Sequence, residues 1–421
     1  MYLGVYQLLW KIAPPLIRRY LRKRARLAPA YLQHWDERFG KPYPEPVQQA
    51  IWIHAVSVGE TRAAAPVIAA LRQHFPDAPL LLTQMTPTGR ETAEQLYPDA
   101  QCRYLPYDRP DYVAQFLREH QPLFGVLMET ELWPNWVLGA HQAQVPLFLA
   151  NARLSEKSLQ GYQKAAPLFT PVMAKLRAVF AQTEADAERL RLLGAQQVSV
   201  CGNSKYDIAP PASALNLATD FKTRIGKRPV VVCGSTRVDK QGVDEGELLV
   251  QAWKGADSNA LLVLVPRHPE RFEAVFQAAL KLGFKVQKRS DGENVAADTQ
   301  VWIGDSMGEL FAYYAAADVV FVGGSLVDTG CQNVIEPIAC GKPTVFGYST
   351  YNFQAACAAA LAAGVAKQVQ TPAEWRATVL EVLQNHSEQA AMQQHAQAFI
   401  HTHQGASERI AEQIAYCYRK P

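Results

Sequence analysis

Residues 51–74, IWIHAVSVGETRAAAPVIAALRQH, decide how the chain is read. The first eight are mostly apolar, Gly59-Glu60 follows, and the rest is an alanine-rich run. A short apolar run ahead of a helix-forming run predicts a buried strand, Ile51–Val58, a tight turn, and a helix, Thr61–His74. The same rhythm continues through Leu80–Thr83, Leu123–Met128, Val145–Ala150, Ala178–Ala181 and Val198–Cys201. It restarts at Pro229–Cys233 and runs through Ala260–Val265, Val301–Gly304, Val319–Gly323 and Thr344–Phe346. Short buried strands alternating with helices predict parallel sheets covered on both faces. The interval 209–228, APPASALNLATDFKTRIGKR, is rich in Pro and Ala, carries no strand signal and reads as a linker. The fold expected is therefore α/β, with two Rossmann-like domains joined at that linker and a cleft between them. The alanine-rich stretch of about 354–418 reads as several helices.

A chain of 421 residues exceeds one ordinary core, which agrees with two domains of about 150–200 residues each. Its 48% apolar and 19% charged composition is that of a folded protein. The net charge of +3 argues against a general nucleic-acid binder, so no nucleic-acid partner is expected. The charge is unevenly placed: RRYLRKRAR, 18–26, holds six Lys or Arg and no acid. Ahead of it, MYLGVYQLLWKIAPPLI, 1–17, is mostly apolar but interrupted by Lys11. A clean span needs about 20 apolar residues, and a secretory signal carries its charge before the apolar run rather than after it. Residues 1–40 therefore read as a membrane-associated helix and basic segment, lying in or partly crossing the bilayer against anionic headgroups. A buried helix ending in a solvated basic face is the plainer alternative. Seven cysteines are dispersed with no C-x-x-C pair, which fits buried thiols in a reducing compartment rather than disulfides or zinc.

The chemistry-bearing residues fall in loops after strands. Neither half offers G-x-G-x-x-G after its first strand or a P-loop, which weighs against dehydrogenase and P-loop readings. No D-x-D occurs, so a diphosphate held through a divalent metal is disfavoured against neutralisation by Arg, Lys and helix N-termini. No metal site and no cofactor are expected. Glu60, after a glycine at a helix opening, is placed to act as a general base for a hydroxyl. A helix-start carboxylate complementing the dipole is the structural alternative, and spacing alone leaves both open. Glu129 and Glu131 follow the strand Leu123–Met128, and neighbouring acids in a partly buried loop point to pKa tuning or a cationic partner. In the second half, Gly304–Leu310 carries Met307, Gly308 and Glu309 into a helix opening, and Gly323-Gly324-Ser325 allows close backbone approach. Asn333, Val334, Ile335 and Glu336 bring a carboxylate suited to ribose hydroxyls. Pro266, Arg267 and His268 end another strand toward a phosphate, and Lys205 is a further cation. Singly each is more often structural; the run of such loops in one domain is the stronger signal.

HAVSVGE (54–60), MTPTGR (85–90), YLPYD (104–108), METELWPN (128–135), NARLS (151–155), GNSKYD (202–207), VPRHPERF (265–272), GDSMGEL (304–310), GGSLV (323–327) and NVIEP (333–337) together resemble the Kdo (3-deoxy-D-manno-oct-2-ulosonic acid) transferases of lipopolysaccharide synthesis. The likeness runs over roughly residues 50–355 and takes in the apolar-basic start. It implies a GT-B fold, a CMP-Kdo donor on the C-terminal domain, and lipid IVA, the lipid A precursor, as acceptor on the N-terminal side. It also implies an inverting, metal-independent glycosyltransferase on the cytoplasmic face of the inner membrane, with membrane lipid as a further partner. By the resemblance Glu60 is the general base, and Glu129 and Lys205 stabilise the transition state. Pro266-Arg267, Met307-Gly308-Glu309 and Asn333-Val334-Ile335-Glu336 take the CMP. The chain departs from the family at Gly330-Cys331-Gln332-Asn333, where many members read Gly-Gly-His-Asn, so a titratable histidine is replaced by a neutral amide. Tyr348-Ser349 likewise stands where a Pro-His pair is common. The domains implied are 1–40, 41–208 for the acceptor, linker 209–228, 229–395 for the CMP-sugar, and a helical tail 396–421. The alternatives are another GT-B enzyme using a UDP-sugar and a catalytically silent membrane adaptor.

Overall fold

In a computed structural model, residues 2–26 and 28–420 are described. They fall into two units, one running to Asp207 and resuming at His403, the other spanning Ile208–Thr402. The first is built on strands β1 (Ile51–His54), β2 (Leu80–Gln84), β3 (Gln101–Tyr104), β4 (Phe124–Met128), β5 (Leu147–Ala152), β6 (Ala178–Ala181) and β7 (Val198–Val200). They form one parallel sheet in the order β3-β2-β1-β4-β5-β6-β7, with Ile51 in register with both Leu80 and Phe124. Trp52, Leu127, Trp136 and Leu149 are buried on one face and Ile53, Val67, Val126 and Phe148 on the other. Burial on both faces is why these strands read as continuous apolar runs.

The second unit repeats the plan with β8 (Val230–Thr236), β9 (Leu261–Pro266), β10 (Val286–Lys288), β11 (Val301–Ile303), β12 (Val319–Val322), β13 (Thr344–Phe346) and β14 (Ala366–Gln368). The order is β10-β11-β9-β8-β12-β13-β14, again parallel. Both units are thus Rossmann-like, the α/β architecture of the GT-B class. In each, strand order reverses beside the first strand, between β1 and β4 and between β8 and β12. Loops leaving the carboxyl ends of strands at such a reversal diverge and leave room for a ligand.

Three parts of the expected layout change. The first helix after β1 begins at Val58, three residues early, because the Ser57 side chain caps it. The stretch 209–228 is not a bare linker. It holds the helix Ala212–Ile225, whose Ala218, Phe221 and Ile225 lie on one face at helical spacing and are buried. Phe221 packs on Trp302 and Tyr313 of the second unit. The segment from 396 is not a separate tail either. One helix, His386–His403, runs through that point, and the last, Ala406–Arg419, puts Ile410, Ala411 and Ile414 into the first unit's core. Asp207 fixes this last helix by accepting the backbone N–H groups of Gly405 and Ser407, each at 2.6 Å.

Residues 1–40 hold two helices, Tyr2–Ile12 and Pro14–Ala25. Among the described residues no helix is long and apolar enough to cross a membrane. All seven cysteines are free thiols.

Candidate functional site

In the first unit the helix Val58–His74 starts at the carboxyl end of β1, and Glu60 sits in its first turn. The carboxylate folds back to accept the Val56 N–H at 2.8 Å and the Ser57 hydroxyl at 3.2 Å. It therefore serves the helix start, as a reciprocal cap does. That structural use does not exhaust it, since each carboxylate oxygen keeps acceptor capacity. Burial pushes its pKa up to about 7, the two hydrogen bonds pull the other way, and the charges of Glu129 and Glu131 raise it further.

Glu129 and Glu131 leave β4, on the other side of the reversal. Glu129 has φ of +60°, left-handed backbone that is strained for a residue with a Cβ. This turn delivers its carboxylate to Lys205, whose Nζ donates to Oε1 at 2.6 Å, with Arg153 Nε 3.4 Å from Oε2. Lys205 comes from a 3-10 turn, Ser204–Asp207, after β7, and Arg153 from just beyond β5. Glu131 accepts the indole N–H of Trp133 at 2.7 Å, and burial raises its pKa. Three carboxylates and two cations thus gather at one reversal point, from segments far apart in sequence. The group combines a carboxylate that binds its proton near neutrality with an ion pair beside it. Such a group can take a proton and hold charge in place.

In the second unit the reversal is flanked by the last residues of β8, Ser235 and Thr236, with Arg237 just beyond, and by Gly323–Ser325 after β12. A Cβ on Gly323 would meet Ser235 O at 2.6 Å, so only glycine lets these loop ends approach. A residue not singled out from the sequence holds them: Glu245, fully buried at a helix start. It accepts the N–H groups of Gly324 at 2.5 Å, Ser325 at 3.0 Å, Leu326 at 2.8 Å and Arg237 at 3.3 Å. Burial outweighs these donors and pushes its pKa up to about 7. In sequence, Asp244-Glu245-Gly246-Glu247 reads as ordinary acid at a helix start, and only tertiary contact separates Glu245 from its neighbours. Arg237 was likewise missed. Its Nε is buried without a hydrogen-bond partner, and its side chain runs beside Gly324.

The residues expected to take a nucleotide are placed as follows. Pro266 is buried at the end of β9, and the Arg267 N–H donates to Thr236 O at 3.0 Å, beside the Arg237 loop. His268 is exposed and its pKa is lowered, by partial burial and by the Arg237 and Arg267 charges. Met307 and Gly308 lie exposed in the turn before the helix Leu310–Ala316, and Glu309 pairs with Arg289 at 3.1 Å. Asn333 and Glu336 meet, Nδ2 to Oε1 at 3.2 Å. Val334 and Ile335, by contrast, turn their side chains into the core, so only their backbone is open to a ligand. Cys331 precedes them with φ of +58° and is fully buried.

Comparison with known proteins agrees with this picture. The family model described as 3-deoxy-D-manno-octulosonic-acid transferase (kdotransferase) matches residues 33–208. A 3-deoxy-D-manno-octulosonic acid transferase of Bordetella pertussis is 36% identical, over 98% of each chain. That of Haemophilus influenzae is 35% identical over 83% of this chain and 82% of its own. Among solved structures, the UDP-GlcNAc 2-epimerase of Neisseria meningitidis aligns with 88% of this chain and all of its own at a TM-score of 0.58; at 14% identity that likeness speaks to the fold alone. Near full-length identity above a third, together with the carboxylate and cation groups at both reversal points, places this chain in the 3-deoxy-D-manno-octulosonic acid transferase family.

Proposed function

We propose that this protein transfers Kdo from CMP-Kdo to lipid IVA, the lipid A precursor, with inversion and without a metal, at the cytoplasmic face of the inner membrane. The observation that carries the reading is the Glu60, Glu129 and Lys205 group, in which Glu60 binds its proton near pH 7. In the reaction Glu60 takes the proton of an acceptor hydroxyl, whose oxygen attacks the anomeric carbon. The bond from that carbon to the CMP phosphate oxygen breaks, and CMP leaves with the electron pair. The Lys205–Glu129 pair steadies charge during transfer, and the second unit takes the nucleotide through Arg267, Glu309, Asn333 and Glu336. A CMP leaving group carries one phosphate, which Arg and Lys side chains suffice to neutralise.

The membrane part rests on the first two helices. Val5, Leu8, Leu9, Ile12 and Leu16 are exposed along one side, next to the basic 18–26 stretch. Such a pair suits an interfacial position on anionic lipid.

The decisive assay supplies CMP-Kdo and a tetraacyl lipid A precursor to the purified full chain. CMP release with a matching gain in acceptor mass is expected. Absence of transfer, with activity on a UDP-sugar instead, would overturn the reading. Glu60→Gln is expected to lose turnover and keep CMP binding; loss of both would reduce Glu60 to its helix-capping role.

A further inference from the structure

The first helix does more than present an apolar side to its surroundings. Its inner side is bonded to the loop that carries the acceptor-side carboxylates. Tyr6 donates its hydroxyl to Asp108 Oδ2 at 2.7 Å. The same carboxyl accepts the N–H groups of Asn135 at 3.1 Å and Trp136 at 2.8 Å, so it caps the helix Pro134–Gln142. Gln7 donates to Asn135 Oδ1 at 3.0 Å. Trp10 stacks on Tyr107, ring centroids 6.2 Å apart, and meets Trp133 edge-on at 6.1 Å. Trp133 is the residue that donates to Glu131. Residues 6, 7 and 10 share one side of the helix at spacings of three and four, while Leu8, 60% exposed, lies on the other.

We propose that the helix Tyr2–Ile12 is a positioning element for transfer: its inner side, through Tyr6, Gln7 and Trp10, holds the Glu129–Asn135 loop in register with Glu60. The inner side then governs turnover, and the outer side governs attachment to lipid. Glu131 is the relay. It is faced by Glu60 from the helix start, by Tyr162 from the helix Glu156–Gln163 and by Glu129 on its own loop, itself paired with Lys205 and Arg153. Without Trp10, Trp133 keeps its core contact but loses the ring that covers it from the first helix, and Glu131 turns toward water, so its negative field on Glu60 weakens.

The inference rests on the reading of Glu60 as base, and the test separates the two. Full-length protein is assayed in neutral detergent micelles with CMP-Kdo and lipid acceptor, so that attachment to a bilayer is not limiting. Trp10→Ala is expected to lower kcat by about tenfold or more, leave CMP affinity unchanged, and move the acid limb of the pH–rate profile to lower pH. Trp10→Phe is expected to restore most of the rate, and Tyr6→Phe to cost a few-fold. Leu8→Ser is expected to keep the micellar kcat and to reduce cosedimentation with anionic vesicles. A Trp10→Ala protein with unchanged kcat and pH limb overturns the proposal. So does a kcat loss matched by Leu8→Ser, or one that Trp10→Phe fails to restore while Tyr6→Phe is neutral. Wild-type turnover by Glu60→Gln would instead remove the base and leave the Trp10 comparison to be judged on kcat alone.

Discussion

At the scale of single residues, the site depends on placing like charges together. Glu60 is half-buried near Glu129 and Glu131, and its pKa rises to about 7. A base must be ionised to work, so the transfer rate is expected to climb with pH through about 7 and to level above it; a flat profile between pH 5.5 and 8 would remove Glu60 from that role. Lys205 offsets the Glu129 charge at 2.6 Å. Lys205→Met is expected to lower kcat by on the order of a hundredfold or more. It should also move the acid limb upward, because the Glu129 charge on Glu60 is then offset by Arg153 alone; a rate loss with no such movement would leave Lys205 a purely structural partner. These residues were legible in sequence because each falls in a loop at the end of a strand. Their mutual contact was not, since Lys205 and Glu129 lie 76 positions apart. Glu245 was invisible for the opposite reason: it stands in a local acidic run with a sufficient local explanation.

At the scale of elements, the strands that sequence pattern left out share one physical trait. Gln101–Tyr104, Val286–Lys288 and Ala366–Gln368 are β3, β10 and β14, all at sheet edges. β3 alternates between half-buried and buried positions, and β10 is half-buried throughout. Such strands never show the continuous apolar run that marks a central one. The helix Ala212–Ile225 was missed because Pro210 and Pro211 at its start drew the reading toward a linker, although proline suits a helix start. The loop Gly323–Leu326 is an element built around one carboxylate. Glu245→Ala strands buried N–H donors at Gly324, Ser325 and Leu326. It is expected to cost about 1–3 kcal/mol of stability for each stranded donor, read by chemical denaturation, and to abolish CMP binding. Stability and CMP affinity both equal to wild type would show that the loop holds its shape unaided.

At the scale of the whole molecule, Glu60, Asp108 and Glu245 each sit near 7, burial being the largest cause in every case. In the unfolded chain such groups titrate near 4. Between about pH 4 and 7 the unfolded state therefore releases protons that the folded state keeps. The stability these groups contribute is full below that window and is lost as pH rises through it. Buried His54, pushed down to about 4, and His120 and His268, also lowered by burial, pull the other way, as more weakly do exposed Glu273 and Asp298, held low by hydrogen bonds from Lys288 and Lys285; the three carboxyls outweigh them. Urea titrations at pH 5 and pH 7.5 are expected to give the higher midpoint at pH 5, and the reverse order would refute the assignment.

The last helix, Ala406–Arg419, lies against the helix Val58–His74, whose first turn carries Glu60, and Ile410, Ala411 and Ile414 fill the core behind it. During synthesis the first unit therefore leaves the ribosome unfinished. Its sheet is complete once residue 200 has emerged, but one wall arrives only with the helix Ala406–Arg419. During synthesis that apolar surface stays open for as long as it takes to make some two hundred further residues, which is the interval in which a chaperone would bind it. Truncation after residue 402, which also strips the Gly405 and Ser407 donors from Asp207 in the turn that carries Lys205, should for the same reason yield a protein that aggregates before its second unit unfolds.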